Sequence, residues 1–147
     1  MRDHFMMMAD YNSWANRLVY EAASALSDDE FRENKGAFFG SLCGTLNHLL
    51  ATDRIWMRRF TGAGDAPNRL DAVLHEDFSA LADARRAEDI RIIDWVSGLT
   101  EEDLGGTITY TPVSNPTPVS QKLSPALAHL FNHQTHHRGQ CHPTFSK

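Results

Sequence analysis

Ser124-Pro125-Ala126-Leu127-Ala128-His129-Leu130-Phe131-Asn132-His133-Gln134-Thr135-His136-His137-Arg138-Gly139-Gln140 is the stretch on which the reading of this chain turns. Ser124 fits a helix N-cap and Pro125 the first helical position. Leu127, Leu130 and Phe131 supply an apolar side, and the helix is expected to run through Gln140 and to end before Pro143. The chain holds eight histidines, and His129, His133, His136 and His137 all fall in this segment. With His129 as origin and about 100° per residue, His133 falls at about 40°, His137 at about 80° and His136 at about −20°. All four share one side of the helix. Imidazoles four residues apart on a helix can bind the same ion. Two imidazoles do not complete a site, so a third ligand must come from another helix.

Three further helical stretches precede it. The first runs from about His4 to Ala25, with Phe5, Met8, Tyr11, Leu18 and Ala22 as its expected buried face. Ser27-Asp28-Asp29-Glu30 reads as the cap and acidic start of a short further turn, and Glu33 to Gly40 as a loop carrying Phe38 and Phe39. The second helix starts after an N-cap at Ser41 and runs to about Phe60, with Leu42, Leu46, Leu49, Leu50, Trp56 and Phe60 on its apolar stripe. Gly62, Gly64 and Pro67 end it. The third is expected from Leu70 to Ser97, with Gly98 as its C-cap. Between Gly105 and Gln121 the pattern changes. Thr107-Ile108-Thr109-Tyr110-Thr111 reads as a short strand, and Pro112, Asn115, Pro116 and Pro118 as the turn of a hairpin-like insert. The fold class is therefore all-α, with four main helices and this β-hairpin-like insert before the last.

His48, inside Leu46-Asn47-His48-Leu49-Leu50, is the best third ligand, because its apolar surroundings point it inward or along the core edge. His4 and His75 lie in more polar contexts. The blander alternative for any one of these histidines is a core residue hydrogen-bonded to a carbonyl. Three imidazoles around one ion would leave a position open for water or substrate. His129 and His136 are expected to support the site or an interface. His133-Gln134-Thr135-His136-His137 nearly matches a zinc-protease motif, but Gln134 stands where the general-base Glu belongs. A ferritin-like di-iron site is equally disfavoured, since neither His48 nor His133 has a Glu three positions earlier.

The bulk properties restrict the function classes. One domain, residues 1–147, is the natural size for this length. The formal net charge of −5 argues against nucleic acid as a partner, and no apolar run reaches the roughly 20 residues of a membrane span. Cys43 and Cys141 are too few for a disulfide framework, which makes a reducing, cytoplasmic setting the simplest expectation. Cys43 reads as a small buried hydrophobe; Cys141, four residues beyond His137, would reach the site if the helix persists, but near a chain end it is expected to be an exposed thiol. Trp14 and Trp56 are expected in the core. Arg138, directly after His137, either holds an anionic substrate group or pairs with an acid, and the structural pair is favoured; Asp53 and Arg58 are expected in surface or interhelix pairs. Asn12 and Asn16 either orient a ligand imidazole or hydrogen-bond between helices.

Asn132-His133-Gln134-Thr135-His136-His137-Arg138-Gly139-Gln140 closely resembles the last-helix motif of the DinB (damage-inducible) family. Tyr11-Asn12-Ser13-Trp14-Ala15-Asn16 resembles the family's first-helix motif. Leu46-Asn47-His48-Leu49-Leu50, followed by Asp53 and Trp56, resembles its second. The resemblance implies a four-helix bundle with a long crossover, often dimeric. It implies a metal triad mapping onto His48, His133 and His137, with nickel or zinc. It also places the chain near transferases that use low-molecular-weight thiols such as bacillithiol or mycothiol. Related chains continue the last helix further, whereas this sequence ends at Cys141-His142-Pro143-Thr144-Phe145-Ser146-Lys147, which leaves the dimer surface in question. With no carboxylate base in the motif, thiol S-transfer ranks above metal-dependent hydrolysis. The rival reading is a non-catalytic metal-binding or stress-response module.

Overall fold

The computed structural model describes residues 1–145. Four long helices, α1 (Arg2–Ser24), α3 (Leu42–Thr61), α4 (Phe78–Gly98) and α6 (Leu123–Phe145), form the bundle. Each packs on two others in the cycle α1–α4–α3–α6. Two short helices, α2 (Asp28–Arg32) and α5 (Glu101–Gly105), and a hairpin of β1 (Thr107–Tyr110) and β2 (Val119–Lys122) fill the connections. The strands pair antiparallel, from Thr107 opposite Lys122 to Tyr110 opposite Val119. Pro118, which has no N–H to give the ladder, falls just outside the paired stretch. None of the described helices is long and apolar enough to cross a membrane.

Local chemistry accounts for most boundaries. The Ser27 side chain accepts from the Glu30 N–H while the Glu30 carboxylate accepts from the Ser27 N–H, a reciprocal cap for α2. Thr100 and Asp103 cap α5 in the same way. Ser41 caps α3 by accepting from the Gly44 N–H at 3.0 Å, and Gly62 ends it with a left-handed φ of 72°. Leu46, Leu49, Leu50 and Met57 of α3, Leu81 and Ile92 of α4, and Leu127, Leu130 and Phe131 of α6 are almost wholly buried. At about 1.5–3 kcal/mol for each such side chain, this interior is the main driving force for assembly.

The structure corrects several expectations. The buried face of α1 is Phe5, Ala9, Asn12, Ala15, Asn16, Tyr20 and Ala23, not the stripe through Tyr11, Leu18 and Ala22. Tyr11 is 42% exposed, Leu18 44% and Trp14, expected in the core, 47%. Polar Asn12 and Asn16 take the inward positions because buried partners wait there, as described below. The helix after the 62–77 segment starts at Phe78, with Asp77 as N-cap, rather than at Leu70. The Asn47 side chain holds the Leu74 and His75 backbone: its Oδ1 accepts from both N–H groups (2.8 and 3.0 Å) and its Nδ2 donates to the His75 carbonyl (2.9 Å). Those backbone groups are thereby removed from any helix ladder. At its other end α4 includes Gly98 and is capped by Leu99. Finally, α6 begins at Leu123, directly after β2, and continues through Pro143 to Phe145. Its last turn is fixed by buried Thr144, whose hydroxyl donates to the Cys141 carbonyl and whose carbonyl accepts from Lys35 Nζ. Cys141, expected to be exposed, is 1% exposed within that turn. Ser146 and Lys147 lie outside the described residues.

Candidate metal centre

Three imidazoles meet at one side of the bundle. His48 comes from the middle of α3, and His133 and His137 from successive turns of α6. Each offers one ring nitrogen, and these atoms all lie within 4.8 Å of one another, so the group could hold a metal ion. His48 and His137 are buried and His133 is half-buried. The Nε2 atoms of His48 and His133 are 3.3 Å apart. Two nitrogens each about 2.05 Å from one tetrahedral ion would be about 3.3 Å apart as well.

The outer ring nitrogens determine which lone pairs face inward. His48 Nδ1 is 2.6 Å from the Leu70 carbonyl, which can only accept, so Nδ1 carries the proton and Nε2 presents a lone pair. The same holds for His137, whose Nδ1 lies 2.7 Å from Gln140 Oε1. Asn47, the residue before His48, fixes the segment that follows Leu70, so one helix places both the ligand and the strap that orients it. Phe39 stacks on the His48 ring at 3.9 Å between centroids and meets His137 edge-on at 5.5 Å. That stack depends on Gly44, since a Cβ there would stand 2.2 Å from the Phe39 carbonyl oxygen.

Electrostatics favours neutral rings. Burial, together with the neighbouring imidazoles, drives His133 down to about 3 from an ordinary 6.5. Burial also lowers His48 and His137. Beside the triad opens a cleft of about 270 Å³ that includes Thr52, Trp56, Arg59, Tyr110 and His129 in its wall. No carboxylate lines it among the described residues. His129 packs against Trp56 and His133, while His136 packs against His137 and accepts from Gln140. His4 and His75 are not in the converging group. Cys141 does not join it either: its thiol donates to the His137 carbonyl, and burial pushes its pKa up to about 12. Gln134 is fully buried and donates to the Leu49 carbonyl.

A second polar cluster lies in the bundle interior. Arg85 of α4 bonds Asp53 of α3 at 2.6 Å and Asp89 of its own helix at 2.8 Å. Asn16 of α1 donates to Asp89, and Arg138 of α6 donates to Asn12 and Asn16. The expected acid partner for Arg138 is therefore replaced by amide and hydroxyl oxygens, including Thr135 Oγ1. The two asparagines act between helices rather than on a ligand imidazole. Arg58 donates to the Gly64 carbonyl rather than to an acid. Burial pushes the Asp53 carboxyl up to about 6 despite Arg85. A cavity of about 430 Å³ adjoins this cluster between α1 and α4 and does not reach the histidines.

Phe39, Gln140 and Arg59 were not singled out by sequence reasoning. A helical signal existed for two of them: Gln140 stands three residues after His137, a neighbouring position on the helix surface, and Arg59 eleven after His48, about three full turns. Phe39 reaches the site from a loop, which no periodicity reveals.

Fold and centre together define a helical bundle with a three-histidine cluster bridging two helices. The profile of the DinB family matches residues 1–143, and the chain belongs to that family. It is similar to Protein DinB of Bacillus subtilis (strain 168), with 26% identity over 151 aligned positions covering 95% of this chain and 83% of that protein. The crystal structure of a DinB-like protein from Bacillus cereus ATCC 10987 shares the fold, with a TM-score of 0.74 and 17% identity over 97% of this chain and 89% of that one.

Proposed function

We propose that His48, His133 and His137 hold one divalent transition metal, nickel or zinc, and that the protein is a metal-dependent transferase acting on a low-molecular-weight thiol. The observation that carries this reading is the pair of Nε2 atoms 3.3 Å apart, with the His48 and His137 Nδ1 protons directed outward. A bound ion of this kind would lower the pKa of a thiol or water that reaches it. The chain's own contribution is to keep three neutral donors converged, to exclude bulk water with Phe39 and Trp56, and to leave the cleft as the route of entry. The absence of a carboxylate from the described cleft wall favours thiol delivery over hydrolysis, which would call for a general base.

The test is a thiol-transfer assay on protein stripped with a chelator and reloaded with nickel or zinc. Activity should vanish on stripping, return on reloading, and be absent from His48→Ala. Activity that survives stripping excludes the mechanism. The second reading, a non-catalytic module, draws support from the placement of the ligands on α3 and α6, which an ion would tie together. It predicts a metal-dependent melting temperature without turnover of any thiol. We also take residues 1–147 as one domain in a reducing, cytoplasmic setting. A homodimer is proposed through the exposed α1 stripe of Met7, Tyr11, Trp14 and Leu18.

A further inference from the structure

The cleft beside the triad contains an arginine whose donors are unused. At about 100° per residue, Arg59 stands about 20° from His48 around α3, three turns further on. Its guanidinium carbon lies 4.4 Å from the centroid of the Trp56 ring and 4.2 Å from that of Tyr110. The Tyr110 ring is itself held by the hairpin, since its hydroxyl accepts from Gln121 Nε2 at 2.6 Å. The two rings fix the cation without consuming its N–H groups. Among the described residues no oxygen accepts from Arg59 and no carboxylate pairs with it, whereas its neighbour Arg58 donates to Gly64 and Arg85 pairs with two aspartates. Arg59 is half-buried, so its donors are partly removed from water as well.

We propose that Arg59 anchors a carboxylate of the substrate, so that the thiol taken by this site carries a carboxylate at the end remote from its sulfur. This rests on the reading of the triad as a metal centre. A guanidinium presents a planar fork that matches a carboxylate in two parallel hydrogen bonds. One cation in a cleft of about 270 Å³ suits a single monoanionic group better than a phosphate dianion. Among the described residues the wall holds no acid to repel such a ligand. An arginine on a helix leans toward the N-terminus, here toward His48, which draws the anchor nearer the histidines than three turns of rise would place it.

The experiment titrates cobalt-loaded protein with mercaptohexanoate and, separately, with mercaptohexanol, following the sulfur-to-cobalt charge-transfer band. The wild type should bind the carboxylate thiol about ten-fold more tightly than the alcohol. Arg59→Gln should erase that preference, and Arg59→Lys should retain part of it. A second arm titrates metal-free protein with hexanoate by calorimetry, where Arg59→Gln should weaken binding by a similar factor. A wild type without preference, or a preference that persists in Arg59→Gln, overturns the proposal. Failure of cobalt to bind would sink the metal reading alone, and the hexanoate arm would still decide on Arg59.

Discussion

On α6 the pair His133 and His137 and the pair Gln134 and Arg138 are offset by a single residue, yet they serve two different polar clusters. The first pair converges with His48 beside the cleft, three like donors together, and no carboxylate lines the cleft wall among the described residues. The second faces the bundle interior, where Arg85, Asp53, Asp89, Asn16 and Arg138 bond one another across all four long helices. The interior cluster pairs opposite charges, although Arg85 Nε and Nη1 and Asn12 Nδ2 are buried without a hydrogen-bond partner among the described residues. The histidine cluster brings together groups that would repel if protonated, an arrangement that a cation would make favourable. Opposite charges face one another in the interior cluster, whereas the candidate metal centre gathers like groups.

The sharpest way to break this comparison is at the interior. Arg85→Met leaves two aspartates buried without their cation and should cost about 3–5 kcal/mol in urea unfolding. A smaller loss would mean that the cluster is not the self-contained scaffold described. Next in size is the metal-linked stabilisation. At a hundred-fold excess over Kd, zinc or nickel should stabilise the wild type by about 2.7 kcal/mol, and His48→Ala should show none of this while unfolding normally without metal. Equal metal-induced shifts in both proteins would refute the assignment of His48.

A subtler change tests the outward hydrogen bonds. Gln140→Ala removes the acceptor that orients His137, and metal affinity measured by competition with a chromophoric chelator should fall about 10–100-fold. A last test concerns pH in metal-free protein. The folded His133 titrates at about 3 and the unfolded one near 6.5, so the unfolded chain takes up the proton first. Stability should be level above about pH 6.5 and decline as the pH falls from there toward 3. His133→Gln should flatten that decline in the urea midpoint. An unchanged slope would show that this ring is not held neutral by its surroundings.

Much of this arrangement was legible in the sequence, for reasons that differ by element. Helices α3 and α6 announced themselves through apolar periodicity, and the His133/His137 pair through its four-residue step. His48 was legible because an imidazole set among leucines on a helix is carried to the core or its edge. The buried face of α1 was not, because the side chains turned inward are Asn12 and Asn16, which hydropathy assigns to solvent. Their reason for burial, Arg138 and Asp89, lies more than 70 residues away in the chain. The start of α4 was misplaced because Leu70 and Leu74 keep helical spacing within a segment that Asn47 holds in another conformation. Pro143 predicts a stop, but α6 continues over it to the buried Thr144. The Asp53–Arg85–Asp89 bridge depends on tertiary contact and left only a vague trace as a possible interhelix pair.

X-ray absorption on protein purified without a nickel column and loaded with one equivalent of zinc or nickel tests the central claim most directly. The expected result is one ion per chain with three imidazole nitrogens at about 2.0–2.1 Å, and an incomplete shell in His48→Ala, His133→Ala and His137→Ala alike. An ion bound through sulfur or carboxylate oxygen, or a coordination shell unchanged by all three substitutions, would contradict it.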